Sequence, residues 1–146
     1  GTREIYIENG KANSLLLMAP SKPGAYERAM KKRGPGLHHL AIDVVGLEDW
    51  LTSIAGSGWL LHPMSVKTLA KSRTAYLARP GFPALIEVQE REELKERPLF
   101  VERIALPLEK EHIKLLGPIG LSGIVRPDAE FKISFAGQTV EFRELL

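Results

Sequence analysis

The stretch Arg33-Gly34-Pro35-Gly36-Leu37-His38-His39-Leu40-Ala41-Ile42-Asp43-Val44 decides the fold. Gly34, Pro35 and Gly36 form a turn, because proline presets one dihedral and glycine tolerates the others. The turn feeds a strand. Side chains alternate faces along a strand, so His39, Ala41 and Asp43 share one face and Leu40, Ile42 and Val44 the other. The second set is an uninterrupted core face. The first combines an imidazole, a very small residue and a carboxylate, which suits a strand lining a cavity.

Downstream, Leu47, Trp50, Leu51 and Ile54 recur at i, i+3, i+4 and i+7, the spacing of an amphipathic helix. Gly56 and Gly58 end it. Trp59-Leu60-Leu61 opens another strand, broken near His62-Pro63, and residues 66–71 read as a loop. Residues 73–78 alternate as a strand, and Pro80-Gly81-Phe82-Pro83 is a turn. In the last strand, 84–90, Ala84, Ile86 and Val88 face one way and Leu85, Glu87 and Gln89 the other. Residues 37–90 are therefore expected to form one β-α-β-β-β unit.

Upstream, residues 3–9 alternate, and Asn9-Gly10 is a two-residue hairpin signal. Residues 11–18 return as a strand ending in Leu15-Leu16-Leu17-Met18, closed by Pro20. Ser21 reads as an N-cap with Pro23 in the first turn. Tyr26, Ala29 and Met30 follow at helical spacing, and Gly34 is the stop. Residues 1–36 thus read as a partial unit of hairpin plus helix.

Residues 91–97 are almost all charged and Pro98 follows, so 91–99 is expected to be a solvated linker. The pattern then restarts. Val101-Glu102-Arg103-Ile104-Ala105-Leu106 lays over His38-His39-Leu40-Ala41-Ile42, with Arg103 at the His39 position. Residues 109–116 form a short helix and 121–125, 130–135 and 139–143 three strands, with Val140-Glu141-Phe142 over Ile86-Glu87-Val88. This internal repeat predicts a second, divergent unit over 100–146. The fold class is α+β, with paired β-α-β-β-β units whose curved mixed sheets form a cleft.

With 44% hydrophobic and 26% charged residues, the chain has the composition of an ordinary globular protein with a real core. The net charge of +2 comes from dispersed Lys and Arg, which argues against a nucleic-acid surface. There is no cysteine, so a metal must be held by His, Asp, Glu, Gln or water. No apolar run spans a bilayer and no signal-peptide pattern opens the chain, so a cytoplasmic location without membrane contact is the expectation. The chain opens Gly1-Thr2 without methionine, which reads as an added first residue or a piece of something longer.

His39 opens the first strand of the central unit and Glu87 sits in its last. Each lies opposite the apolar set. A carboxylate between Ile86 and Val88 is costly to desolvate unless it is paired or bound to a cation. An imidazole and a carboxylate suit a divalent metal with open positions. The same residues on facing strands also make a hydrogen-bonded pair. His38, on the core-facing parity, is expected to pack and donate to a backbone carbonyl. His62 reads as a loop residue and His112 as helix surface. The basic cluster at 29–33 is a solvated helix end, favourable against the helix dipole, or a contact for a phosphate.

Residues 33–44, with Tyr76-Leu77-Ala78-Arg79-Pro80 and Ala84-Leu85-Ile86-Glu87-Val88, resemble the second module of methylmalonyl-CoA epimerases. These belong to the vicinal oxygen chelate superfamily, with glyoxalase I and extradiol dioxygenases. The similarity runs over about 33–90, and residues 4–20 resemble the last hairpin of the family's first module. The resemblance implies paired modules curling round a cleft, with metal ligands on the first and last strands of each. His39 and Glu87 match two of those positions.

Three departures follow. The first strand and helix of the first module are missing, the ligand position in the hairpin falls at about Leu16, and 100–146 extends past the family's end. A closed cleft then needs the C-terminal segment as partner module, with Glu141 as third ligand and Arg103 in place of a histidine. Alternatively that segment completes the N-terminal hairpin by circular permutation, or a second chain completes the site as a homodimer. Arg103 is always protonated and cannot ligate. It is expected to bind a substrate carboxylate or to replace the charge of a metal.

Two functions follow. In the first, a divalent metal on His39, Glu87 and Glu141 stabilises an enolate of a small carbonyl or acyl-CoA substrate. Epimerase or isomerase activity results, or glyoxalase-type lyase or oxygenase chemistry on the same chelate, with Glu141 or Glu87 as base. In the second, a metal-free member of the superfamily sequesters a small molecule, and His39 bonds Glu87 directly. A purely structural role leaves both positions as coincidence.

Overall fold

The computed structural model describes residues 1–8, 10, 12–94, 96 and 98–145. The 33–44 stretch forms the expected turn and strand, and the elements around it follow in chain order. A hairpin of β1 (Thr2–Ile7) and β2 (Leu15–Pro20) leads to α1 (Ala25–Arg33). Then come β3 (His39–Val44), α2 (Leu47–Ser53), β4 (Leu60–Leu61), α3 (Ser65–Ser72), β5 (Thr74–Ala78) and β6 (Leu85–Glu90). The C-terminal part contains β7 (Val101–Pro107), α4 (Lys110–Leu116), β8 (Val125–Asp128), β9 (Lys132–Phe135) and β10 (Gln138–Glu141), closed by a 3-10 turn, Phe142–Leu145. The fold is α+β: two curved, mixed four-stranded sheets, ordered β3-β6-β5-β4 and β10-β9-β7-β8, beside the hairpin.

The alternation in β3, β5 and β6 sends Leu40, Val44, Ala75, Leu77, Ile86 and Val88 to one side, where Leu47 and Ile54 cover them. That core continues without a break into Leu106, Leu116 and Val125 of the C-terminal part. Fully burying one such leucine or isoleucine is worth about 1.5–3 kcal/mol, so the shared core ties the two sheets together. Trp59 reinforces the junction. Its ring meets Phe82 edge-on at 5.1 Å, and its Nε1 donates to the Leu115 carbonyl at 2.8 Å. Among the described residues no helix is long and apolar enough to cross a membrane.

Four details depart from expectation. Residues 66–71 are not a loop but most of α3. Serine and threonine disfavour helix interiors because their hydroxyls compete for the backbone. Here the competition is turned to use: Ser65 Oγ donates to the Tyr76 carbonyl at 3.0 Å and accepts from its N–H at 2.8 Å. The hairpin strands are shorter than expected: β1 ends at Ile7 and β2 begins at Leu15, while Asn9 of the expected turn and Lys11 lie outside the described residues.

The two units share a β-α-β-β-β order apart from α3, which has no counterpart between β8 and β9, and they differ in the sheet. β6 lies parallel beside β3, whereas β10 is an edge strand beyond β9, and β7 has β8 and β9 as neighbours. Glu141 therefore does not occupy the place of Glu87. β7 is also bulged. Val101 faces Phe135 and Arg103 faces Ser134, so two steps on β7 match one on β9. The extra residue breaks the alternation, and Glu102 and Arg103 are both exposed.

Candidate functional site

A cleft of about 1630 Å³ runs between the hairpin, α1, the β3–β6 face and β7. Ligand pockets usually enclose about 300–1,000 Å³, so a small molecule fills only part of this one. Its walls are mainly apolar, Leu16 and Met18 from the hairpin and Met30 from α1 among them. Its floor is polar.

The floor follows from the register of two parallel strands. His39 lies opposite Leu85, and Ala41 opposite Glu87. The methyl group of Ala41 leaves room for the Glu87 side chain to lean along the sheet. Its Oε2 comes to 3.2 Å from His39 Nε2, and the two side chains are only 14% and 17% exposed. Gln89, two residues on and on the same face, donates Nε2 to Glu87 Oε1 at 2.7 Å. Tyr76 lies opposite Glu87 on the other side, close enough for its hydroxyl to feel the Glu87 charge. Burial first, then the Glu87 charge, push the Tyr76 hydroxyl up to about 12.

The network extends both ways. Arg91 donates Nη2 to Gln89 Oε1 at 2.6 Å and Nε to Asp43 Oδ1 at 3.0 Å. At the other end His38 Nδ1 lies 2.8 Å from His39 Nδ1. Five side chains, Arg91, Gln89, Glu87, His39 and His38, thus form one polar line across the cleft floor, hydrogen-bonded at each link but the His39–Glu87 ion-pair contact. His38 was expected to point into the core. It precedes the first residue of β3, where strand alternation does not yet apply, so it turns to its neighbour and packs its ring on Tyr26 at 4.8 Å.

Proton bookkeeping fixes what this line can do. The two Nδ1 atoms hold one proton between them. If His39 is neutral and points its Nε2–H at Glu87, His38 donates through Nδ1 and, when neutral itself, keeps a lone pair on Nε2. If His39 is an imidazolium it donates both ways, and His38 Nε2 carries a proton. In either state His38 Nε2 ends the line. Burial, then His39 and Arg33, push the His38 pKa down, against an upward pull from Glu87. Burial, then Glu87 and Glu4, push the Tyr26 hydroxyl up.

Glu141 and Arg103 do not join this group. Glu141 sits on β10 and is ion-paired with Arg143, whose Nε lies 2.5 Å from its Oε2. That hydrogen bond is the first cause holding its carboxyl below the usual range. Among the described residues no third His, Cys, Asp or Glu completes a metal-binding group with His39 and Glu87. Glu141 is thus not brought together with His39 and Glu87, because strand order puts β10 at the far edge of the second sheet. Arg103 is turned outward by the β7 bulge and does not line the cleft. Leu16 does line it, as an apolar wall residue. His62 Nδ1 accepts from the Met64 N–H at 3.3 Å in its loop. His112 is not on a free helix surface: its ring stands against Gly81, where an added Cβ would lie 2.7 Å from Nε2.

The donor set does not fit a catalytic divalent ion. A separation of 3.2 Å is also what two ligands about 2.1 Å from one ion subtend at roughly 100°, so distance alone does not decide. The count decides. Such sites use three protein ligands. Among the described residues two come together here, and Oε1 of Glu87 already accepts from Gln89. Tyr76, Gln89, Arg91 and His38 went unnoticed in the sequence reading as parts of the site. For Tyr76 and Gln89 the signal was present, since each shares the outward parity of Glu87.

No family model matches the chain, and no curated protein matches it. One solved structure is similar over 73% of this chain and 95% of its own, at 19% identity and a TM-score of 0.39. It is the integron cassette protein HFX_CASS4, from the mobile metagenome of the Halifax Harbour sewage outfall.

Proposed function

We propose that this chain is a glyoxalase-like protein of the vicinal oxygen chelate type that holds a small organic molecule in its cleft without a metal. The observation that carries this reading is the direct contact of His39 Nε2 with Glu87 Oε2, inside a line whose hydrogen bonds are met by the chain itself. The adjacency of the first and last strands of the 37–90 unit supports the superfamily. Leu16 at the hairpin position and two donors in place of three disfavour a metal-dependent epimerase, isomerase or lyase. A second copy is not needed to assemble the floor. Nucleic acid and membrane play no part in this reading, and the cytoplasm is its setting.

The test is metal uptake. Purified protein is incubated in turn with excess Zn²⁺, Co²⁺, Ni²⁺ and Mn²⁺, desalted, and assayed for bound metal. The expected result is no stoichiometric ion. One ion per chain, lost in His39→Ala, overturns the reading.

A further inference from the structure

Helix α1 carries Tyr26, Ala29, Met30 and Arg33 at i, i+3, i+4 and i+7, so they share one face. All four line the cleft. Tyr26 and Met30 are 38% and 39% exposed, so this face is open to a ligand. Leu16 and Met18 of the hairpin supply further apolar wall. At the end of the α1 face stands Arg33. Among the described residues no carboxylate pairs with it, whereas Arg73, Arg91 and Arg143 each have an acidic partner. Lys31, on another side of the helix, is tied to Glu27.

The chain after Arg33 turns through Gly34-Pro35-Gly36 and brings His38 back to the same cleft. Gly34 has φ 73°, the left-handed region, and open space surrounds Gly34 and Gly36. His38 is held from behind by His39 and ends the polar line at Nε2. The nearby acids are already engaged. Glu87 takes His39 and Gln89, while Glu4, lining the cleft from the hairpin, accepts from Thr2 Oγ1 at 2.7 Å. An unpaired guanidinium and an imidazole nitrogen thus line the same largely apolar cleft.

We propose that Arg33 and His38 are the anion-binding end of the cleft, and that its ligand is a small organic acid whose apolar body lies along Tyr26, Met30 and Met18. The proposal rests on the metal-free ligand-binding reading and names the ligand's class. The head group is an anionic oxygen, carboxylate or phosphate. A guanidinium fork donates to either in a bidentate contact, and His38 Nε2 adds a second hydrogen bond in the state in which it carries a proton. Glu4 repels the same head group at the hairpin wall and so fixes which end of the ligand goes where.

The probes are phenylacetate, its neutral isostere phenylacetamide, and phenyl phosphate. Binding is followed by fluorescence of the cleft-lining Trp50 and by the imidazole resonances of His38 and His39. One anion, phenylacetate or phenyl phosphate, is expected to bind about tenfold or more tighter than the amide, the usual worth of a hydrogen bond to a charged group. The tighter of the two identifies the head group. Arg33→Gln and His38→Gln are expected to erase that preference, while Lys31→Gln leaves it intact. Equal binding of acid and amide, an unaltered preference in Arg33→Gln, or no probe shifting the two imidazoles each overturns the proposal. Equal binding that still shifts His38 and His39 leaves the metal-free cleft standing. One bound metal per chain removes that reading itself.

Discussion

Replacing Glu87 tests the floor of the cleft at its centre. Its carboxylate faces three side chains at once, His39 at 3.2 Å, Gln89 at 2.7 Å and Tyr76 through its hydroxyl. Two effects follow from Glu87→Gln. The Tyr76 hydroxyl loses the neighbouring charge that helps hold it at about 12, but it keeps its burial, the largest cause. Its pKa therefore falls part of the way back toward 10.0. Stability changes little, because an amide still offers an acceptor to Gln89. Glu87→Ala removes every acceptor and leaves half-buried donors unpaired, which costs about 1–3 kcal/mol. For a chain of this size that lowers Tm by roughly 2–4 °C per kcal/mol. Tyrosinate absorbance near 295 nm reads the first effect, since the chain has only 3 tyrosines. The last-titrating tyrosine is expected to move down in Glu87→Gln. A titration curve that superposes on the parent refutes the placement of Glu87 against Tyr76, and with it the continuity of the line.

Asn13 clamps the hairpin wall to β7, accepting from the N–H groups of Phe100 at 2.7 Å and Val101 at 2.9 Å and donating to the Val101 carbonyl at 3.0 Å. Asn13→Ala orphans all three, and a loss of about 2–4 kcal/mol is expected by chemical denaturation, with faster hydrogen exchange in β1 and β2. Glu90 is held down to about 2 from 4.5 by its hydrogen bond to Arg73 first and the Leu47 N–H second. A depressed carboxyl stabilises the fold fully above its unfolded pKa and loses that contribution as pH falls through the folded value. The urea midpoints of the parent and Glu90→Gln should thus stay separated near neutral pH and converge between pH 4.5 and about 2; a separation independent of pH contradicts the role of the carboxylate.

Strand alternation was enough to find His39 and Glu87 and to put both on the cleft side. It was enough because β3 and β6 are regular, so parity read along the chain survives into the sheet. Parity fails where regularity does. The β7 bulge adds one residue that no local pattern announces, and Arg103 moves from an inward to an outward position. His38 lies one residue before β3, outside the span over which the rule applies. Glu141 failed for a different reason. A repeat preserves the order of elements along the chain, but the place of a strand in a sheet is set by long-range pairing. β6 closes on β3, while β10 stops at the edge beside β9. Equivalent sequence positions then lie in unlike surroundings. The hidden helix α3 reflects the same limit. Its Ser and Thr read as loop residues until Tyr76, eleven positions beyond Ser65, partners Ser65 and the Thr74 carbonyl accepts from Thr68.

The line of polar side chains also accounts for a cleft that stays open. The apolar faces of both sheets meet in one core around Leu47, Ile86, Leu106 and Leu116, and nothing there needs a ligand. On the opposite face of the first sheet, Glu87 and His39 lie deep enough that either alone would carry a desolvation cost of several kcal/mol. Linked through Gln89 to Arg91 and through His39 to His38, they meet one another's hydrogen-bonding needs without the hairpin closing over them. The hairpin can then be held off by its Asn13 clamp, with Leu16 and Met18 turned toward the gap. Charge at the two ends of the line is unequal. Arg91 is matched by Asp43, whereas His38 has Arg33 near it and no acid of its own beyond Glu87. That imbalance is why an anion belongs at the His38 end and not at the Arg91 end.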